Sequence, residues 1–222
     1  MNWQFMLDSL PLYVKAAELT LIISFWGILF SVVLGALCTV VDYFKIPVLR
    51  PLVKAYIELS RNTPLLIQLF FLYYGLAQMG IKLEAETCAV TGLTFLGGSY
   101  MAEALRSGVD AVHKSQVESG LAIGLTDGQV MRYIVLPQAF AVAVPAFAAN
   151  AIFLLKETSV VSAIALADLM FVAKDLIGMY YRTSEALLML VLAYLIILLP
   201  VSLGFTYLER RLRAHGLGSA DL

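Results

Sequence analysis

Five long runs without a charged residue constrain this chain more than any other feature of its sequence. A helix needs roughly 20 apolar residues to cross the ~30 Å hydrocarbon core of a bilayer. Four runs have 19 to 23 residues, and the third has 16 but lengthens if Glu103 faces protein instead of lipid. The runs are Leu19–Val41, Thr63–Ile81, Thr87–Ala102, Tyr133–Leu155 and Leu187–Leu208. They predict an all-α membrane protein with five transmembrane helices.

Composition supports this placement in a bilayer. Hydrophobic residues make up 61% of the chain and charged residues 14%, and the mean hydropathy is +0.86, whereas a soluble domain carries about 25% charged residues. The formal net charge of −1 gives no reason to expect a nucleic-acid partner. The sequence shows no internal repeat or low-complexity linker, so residues 1–222 are interpreted as one transmembrane domain.

The segment Thr158–Lys174, between the fourth and fifth runs, is apolar but short. Asp168 interrupts it, and a crossing needs a longer apolar stretch. We therefore expect a buried or interfacial helix here instead of a sixth crossing.

The placement of Lys and Arg predicts the orientation. With the N-terminus outside and the C-terminus inside, cytoplasmic segments hold ten of the fifteen basic residues, and such an excess is typical of the cytoplasmic side. The ten are Lys45, Arg50, Lys54, Arg61, Arg106, Lys114, Arg132, Arg210, Arg211 and Arg213. This N-out, C-in arrangement puts the polar loop of residues 114–137 in the cytoplasm.

The sequence contains no catalytic or metal-binding constellation. It lacks the GxxxxGK[ST] phosphate loop, so the chain is not expected to hydrolyse ATP. It also lacks a GxSxG elbow and an HExxH helix. Cys38 and Cys88 lie in different runs and are not expected to form a disulfide. We predict no enzyme activity, no metal and no cofactor in this chain, so transport would draw its energy from a partner protein or an ion gradient.

The polar loop of residues 114–137 is long for a connection between helices, which commonly has about 2 to 8 residues. Gly120, Gly124 and Gly128 recur every four residues and allow close backbone approach and tight turns. Four apolar residues are expected to give a short helix one face that docks into a groove. They are Leu121, Ile123, Leu125 and Val130. The pattern indicates a docking loop more than an ordinary connection.

The segment Glu118–Pro137 resembles the cytoplasmic EAA loop of permease subunits of bacterial ATP-binding-cassette importers. The likeness rests on Glu118, on Gly124 six residues later and on the sequence ending in Ile134-Val135-Leu136-Pro137, although the family's two alanines after the glutamate are here Ser119 and Gly120. In that family the loop forms a short helix that docks into the ATPase subunit. The coupling residues that the resemblance implies are Glu118, Gly120, Leu121, Gly124, Leu125, Thr126, Asp127, Ile134 and Pro137.

Three further stretches resemble the permeases of polar amino-acid importers, the histidine, glutamine and arginine permease-like group. Arg61–Phe70, RNTPLLIQLF, is similar to the entry to their second conserved helix. Gly98–Glu103 with Arg106 and Gly108 is similar to their AYxAExxRxG segment, and Lys156–Val161, KETSVV, is similar to their K(D/E)TSLV segment. Four motifs in the right order indicate this subfamily.

The resemblance implies a type I ABC importer permease fold with a cytoplasmic coupling helix. It implies two permease chains, identical or related, around a central pathway in the bacterial cytoplasmic (inner) membrane. Each permease would contact one ATPase subunit, which binds the ATP and Mg. An extracytoplasmic amino-acid-binding protein would deliver the substrate from outside.

Eight polar residues in or near these motifs are candidates for the substrate pathway. They are Asn62, Gln68, Tyr100, Glu103, Lys156, Glu157, Thr158 and Ser159. Ionisable groups at membrane depth are costly and usually face protein or water. Glu103 and Arg106 are three residues apart on a helix and can pair, so a structural ion pair is an alternative for them, as it is for Lys156 and Glu157. Gln68 also fits interhelical hydrogen bonding.

Two other classes of function remain open on the residues alone. An ion-coupled secondary transporter of small polar solutes would be expected to show inverted repeats or paired broken helices, and the sequence suggests neither. A small channel or a non-transporting assembly subunit would need no long cytoplasmic docking loop.

Overall fold

The first helix, α1, spans Trp3–Tyr43 in the computed structural model, which describes the backbone of residues 1–214 and the side chains of residues 1–211. Its 41 residues extend about 60 Å at 1.5 Å per residue. The Asn2 side chain caps α1 by accepting the N–H of Phe5. α1 therefore contains the first predicted run and extends 16 residues before it.

The second predicted run holds one helical piece, and a further helix, α2, precedes it. α2 spans Leu49–Arg61, and a second piece spans Leu65–Gln78. The second piece consists of α3 at Leu65–Phe70, a π-helical turn at Phe71–Gly75 and α4 at Leu76–Gln78. The helix in the run Thr63–Ile81 is shorter than predicted, since its 14 residues cover only about 21 Å, and a crossing by this run stays a prediction.

The third and fourth runs lie in α5 and α8. α5 spans Ala85–Asp110 and continues well past Glu103. The loop after it contains α6 at Lys114–Ala122 and α7 at Asp127–Val130, followed by a second π-helical turn at Met131–Val135. α8 then spans Leu136–Glu157 and includes Pro145.

The single short helix expected over Thr158–Lys174 is instead two pieces. A 3₁₀ helix covers Thr158–Ile164, and α9 covers Leu169–Tyr180. Ala165 between them has a left-handed φ of 59°, and Asp168 caps α9 because an aspartate favours the N-cap over a helix interior. α10, at Thr183–Ala214, completes the described chain and contains the fifth run.

Three described helices have the length and apolar composition to cross a membrane. They are Trp3–Tyr43, Asp127–Ile164 and Thr183–Arg211. α5 reaches 26 residues, but it is rich in small and polar residues, which suit contact with other helices better than contact with lipid. The number of five crossings therefore stays a prediction.

α5 is the central helix and packs against both α1 and α8. Small residues allow this close contact: a Cβ built on Gly35 would lie 2.6 Å from the Met101 Cβ and 2.7 Å from the Ala102 N. The Ser31 Oγ donates to the Leu93 carbonyl at 3.1 Å across the same interface. A second core joins the start of α1 to α9 and α10, where the Tyr13 hydroxyl donates to the Ala186 carbonyl at 2.8 Å.

Candidate functional site

The connection between α5 and α8 folds into two short helices whose turn is fixed by Gly124 and Thr126. α6 ends at Ala122, and Gly124 has a φ of +90°, which favours glycine. The Thr126 Oγ1 accepts the Gln129 N–H at 3.3 Å, and the Gln129 Oε1 accepts the Thr126 N–H at 2.9 Å. This reciprocal capping box satisfies two N–H groups at the start of α7 and holds the turn in place.

Gly120 allows α6 to lie directly on the second π-helical turn. A Cβ at this position would be 2.6 Å from the Ile134 Cδ1 and 3.1 Å from the Val130 Cγ2. Val130 is buried, and Leu125 and Ile134 pack against the same small cluster. The two short helices are therefore seated on a core of their own that continues into α8.

The expectation of one apolar docking face is wrong, because the four apolar side chains point in two directions. Leu125 and Val130 face the cluster beneath the helices, whereas Leu121 and Ile123 are 43% and 79% exposed. Gly124 separates the two pairs, and its left-handed conformation ends the helical phase that the sequence pattern assumed. We call Leu121 and Ile123 the exposed tip.

The other predicted coupling residues surround the exposed tip. Glu118 and Asp127 are exposed, and Pro137 lies in the first turn of α8, directly after the π-helical turn Met131–Val135. Glu118 also lines a cleft of about 600 Å³ that includes Asp42 and Arg106. The predicted coupling residues therefore lie in the connection between α5 and α8 and in the first turn of α8.

Glu103 binds two arginines at the junction of α2 and α5. The Arg106 Nη2 and Nε donate to the Glu103 Oε2 and Oε1 at 3.0 and 3.2 Å, so the pairing expected from their spacing is present. The Arg61 Nη1 lies 3.4 Å from the same Oε2. Arg106 also contacts Asp110 at 2.9 Å. These side chains are partly exposed, so the network joins two helices without being buried.

Tyr100 connects this network to α8. The Arg61 guanidinium lies 5.3 Å from the centroid of the Tyr100 ring, within the range of a cation–π contact. The Tyr100 ring is 5.4 Å from the Phe153 ring, and the Asn150 Nδ2 donates to the Tyr100 carbonyl at 3.2 Å. Phe153 precedes Lys156 by three residues. The contact between the Tyr100 and Phe153 rings therefore links the predicted pathway residues of α5 to those at the end of α8.

Lys156 and Glu157 form no ion pair with any described side chain, so the structural ion pair considered for them is not observed. Adjacent residues on a helix do not face each other. Lys156 is exposed, and Glu157 and Ser159 are half-buried. Thr158 is fully buried, and its Oγ1 donates to the Leu155 carbonyl at 2.7 Å. Of the four predicted pathway residues here, Thr158 is therefore shielded in this conformation.

Asn62 and Gln68 donate to backbone carbonyls near the end of α2. The Asn62 Nδ2 donates to the Glu58 carbonyl at 2.7 Å. The Gln68 Nε2 donates to the carbonyls of Ser60 and Thr63 at 3.2 and 3.1 Å. The last carbonyls of a helix have no helical partner, so both amides have a structural use.

Sequence reasoning missed a charged cleft between α1, α2 and α5. It has a volume of about 390 Å³, and its lining includes Asp42, Lys54, Glu58, Glu103 and Arg106. The spacing of Lys54 and Glu58, four residues apart, indicates one face of a helix and could have revealed the cleft. It was overlooked because α2 lies outside the five uncharged runs.

We expect Glu103→Gln to lower the free energy of unfolding by about 1 kcal/mol, the scale of a partly exposed ion pair. The substitution removes the charge that holds Arg61 and Arg106 together. Thermal unfolding in detergent at low and high salt would measure this, and the difference should shrink at high salt because exposed charges are screened. Asp175→Asn is the control, since Asp175 is exposed and pairs with no described residue. Equal stability of the two variants at low salt would contradict the prediction.

Asp168 is a buried carboxylate where the segment after Lys156 turns into α9. Its Oδ1 accepts the Phe171 N–H at 2.9 Å, and its Oδ2 has no hydrogen-bond partner among the described residues. Burial raises the pKa of Asp168 to about 6, because the surroundings disfavour the charged form. The carboxylate is therefore ionised at neutral pH at an energetic cost.

The raised pKa of Asp168 predicts that the stability of the Asp168→Asn variant, relative to the wild type, increases as the pH rises. The folded state binds the Asp168 proton more tightly than the unfolded state, so this stabilisation is complete below pH of about 4 and is lost as the pH rises through about 6. Asparagine keeps the cap without the charge. We expect the variant to gain thermal stability over the wild type between pH 5 and pH 8. A variant that loses stability over that interval would contradict the expectation.

Comparison with known proteins places these features in a family. Residues 27–214 match the family described as binding-protein-dependent transport system inner membrane component. The chain is 37% identical over 196 residues to the probable amino-acid ABC transporter permease protein PatM of Vibrio harveyi, covering 87% of this chain and 88% of PatM. It is 31% identical over 214 residues to the glutamine transport system permease protein GlnP of Escherichia coli K12, covering 96% and 98% of the two chains.

Solved structures show the same fold. A crystal structure of an amino acid ABC transporter with histidines aligns with a TM-score of 0.86 at 32% sequence identity, covering 95% of this chain and 99% of that chain. An inward-facing MetNI methionine ABC transporter aligns with a TM-score of 0.79 at 20% identity, covering 96% and 99%, a likeness that concerns the fold alone.

Proposed function

The chain belongs to the binding-protein-dependent transport system inner membrane components and, among them, to the amino-acid ABC transporter permeases; from that premise we propose that it forms the translocation pathway of an ATP-driven amino-acid importer. ATP and Mg would be bound by a separate ATPase subunit. The chain's own part would be gating and coupling, with no chemical catalysis.

The exposed tip is the observation that carries the coupling part of this proposal. Leu121 and Ile123 are 43% and 79% exposed beside a turn fixed by a capping box, in the loop that the predicted topology places outside the membrane, where lipid would not cover them. Short amphipathic helices bind hydrophobic grooves through a few such anchors. We propose that Leu121 and Ile123 enter a cleft of the ATPase subunit, with Glu118 and Asp127 at the rim.

We propose five crossings with the N-terminus outside and the C-terminus in the cytoplasm of a bacterial cell. The excess of Lys and Arg in the segments that this topology places inside supports the orientation, and it puts the exposed tip on the ATP side. A second permease chain, identical or related, would complete the pathway in the inner membrane. An amino-acid-binding protein would dock on the outer face.

Lys156 and Glu157 are the side chains that we propose for contact with the amino acid. Neither is paired with a described residue, and opposite charges beside each other match a substrate that carries both an ammonium and a carboxylate. Ser159 and Tyr100 border the same region, whereas Glu103 is occupied by two arginines. Glu103 would then shape the pathway more than it touches the substrate.

Reconstitution tests the proposal. The chain would be co-expressed with candidate ATPase subunits, purified as a complex and placed in liposomes with a panel of amino acids and their binding proteins. We expect a stable complex whose ATP hydrolysis rises with one loaded binding protein. Uptake that collapses with an ionophore while ATP remains high would favour the ion-coupled alternative, and failure of any ATPase to bind the folded chain would overturn the coupling proposal.

A further inference from the structure

Two helical pieces, α2 and the piece Leu65–Gln78, lie along one helix, α5. At the end of α2, the Ser60 Oγ and the Tyr56 hydroxyl both donate to the Phe95 carbonyl, at 2.8 and 2.7 Å. The next piece continues in the same direction along α5, because Leu69 packs where a Cβ on Gly92 would lie 2.8 Å from its Cδ2. α2 and the piece Leu65–Gln78 therefore form one discontinuous span.

The break in this span is at Asn62–Pro64, where the backbone leaves the helical conformation. Pro64 has a ψ of 142°, and its ring nitrogen has no hydrogen to donate. The carbonyls at the end of α2 are satisfied by side chains: the Thr63 Oγ1 donates to the Leu59 carbonyl at 2.7 Å, and the Asn62 Nδ2 donates to that of Glu58 at the same distance. Local side chains thus replace the missing helical bonds.

Gln68 is the residue that connects the two sides of the break. It belongs to α3, and its Nε2 reaches back to the Ser60 carbonyl at 3.2 Å, the Thr63 carbonyl at 3.1 Å and the Thr63 Oγ1 at 3.0 Å. Three oxygens around one amide group require an NH₂ at that position, which fixes the orientation of the amide. The Gln68 Oε1 is buried without a hydrogen-bond partner among the described residues.

We infer that Gln68 is a positioning residue that holds the two halves of the discontinuous span at a fixed angle. Arg61 lies immediately before the break and contacts Glu103 and Tyr100. A change in the angle at the break would move Arg61 and the charged cleft lined by Lys54 and Glu58. Gln68 therefore sets the geometry of that cleft from a distance. This inference concerns the shape of the chain and stands apart from the proposed function.

Distance measurements between spin labels test the inference directly. One label pair, Leu52→Cys with Phe71→Cys, would report across the break, and both positions are exposed. The control pair, Thr91→Cys with Ser107→Cys, lies at exposed positions of the continuous helix α5. The background would be Cys38→Ala and Cys88→Ala. We expect Gln68→Leu to shift and broaden the distance distribution across the break and to leave the control pair unchanged.

Gln68→Glu adds a readout that a mere packing role would not change. A protonated carboxyl has one O–H, which can donate to one of the carbonyl oxygens in place of the amide, whereas a carboxylate can only repel them. We expect a distribution like that of the wild-type residue at pH 5 and a broadened one at pH 8, with no pH effect when Gln68 is present. If Gln68→Leu does not fold, Gln68→Glu alone decides the question. Unchanged distances across the break in Gln68→Leu, or distances in Gln68→Glu that do not depend on pH, would overturn the inference.

Discussion

Replacing Ile123 with aspartate is expected to reduce ATP-driven transport about 100-fold or more while the chain stays folded in the membrane. Burying an isoleucine side chain contributes about 1.5–3 kcal/mol, and placing a carboxylate in an apolar cleft adds a desolvation penalty. A loss of about 3 kcal/mol lowers the affinity for the ATPase subunit about 100-fold. Ile123 is mostly exposed and buries little within the chain, so the substitution leaves the fold intact. Titration of the purified chain with the ATPase and uptake in liposomes measure the two effects.

The matched control is Val48→Asp. Val48 is 74% exposed and lies in the connection between α1 and α2, so it tests a new charge at an equally exposed apolar position away from the exposed tip. It should retain both ATPase binding and transport. If Ile123→Asp bound the ATPase as tightly as the wild-type chain, the exposed tip would not be the coupling surface.

Gly35→Val is expected to prevent stable folding. A Cβ at position 35 would be 2.6 Å from the Met101 Cβ and 2.7 Å from the Ala102 backbone nitrogen, and the α5 backbone cannot rotate away as a side chain can. Inserting a larger side chain into a packed core costs about 1–3 kcal/mol of stability when neighbouring side chains can adjust. At position 35 the new atoms meet backbone, so we expect a cost of about 3 kcal/mol or more. The expected result is a strong loss of folded protein in detergent, measured by size-exclusion yield and thermal unfolding.

Gly178→Val is the control for the helix propensity of valine. Gly178 lies within α9, and a Cβ there would meet no atom within 4 Å. Both variants carry the same propensity change, so the difference between them isolates the contact between α1 and α5. If Gly35→Val had the same yield and unfolding midpoint as Gly178→Val, α1 and α5 could move apart without loss of stability, and the prediction would be wrong.

The apolar runs predicted α1, α8 and α10 because a long uncharged helix has few places to go other than a bilayer or a core. They did not predict the break before the helix of the second run, because a break between two helical pieces has no signature in hydrophobicity. Pro64 is compatible with the start of a new helix, and the bonds that repair the break come from Gln68, several residues away. The residues suggested neither inverted repeats nor paired broken helices, and the break at Asn62–Pro64 does not test that expectation.

The sequence indicated a structured loop between α5 and α8, since glycines at fixed spacing depend on local sequence, and the structure has two short helices there; the coupling role of its residues stays a prediction. The directions in which the apolar side chains of this loop point were not predicted, because they depend on the backbone conformation of Gly124. Gly124 resets the helical phase, so Leu125 turns inward while Ile123 stays exposed. The charged cleft was missed because α2 lies outside the uncharged runs. Its other sides come from α1 and α5, and α5 is far from α2 in the sequence.

Because α6 packs on the turn before α8, a movement of the exposed tip towards the proposed ATPase partner would be passed to α8. α8 has 22 residues and a length of about 33 Å, with Lys156 near its far end. A rotation of about 10° at the near end would carry the far end through about 6 Å if the helix stayed straight. Pro145 removes one backbone hydrogen bond near the middle of α8 and makes the helix easier to bend there. Under the proposed coupling, the stiffness of α8 around Pro145 would therefore decide how much of a displacement at Ile123 is transmitted to Lys156.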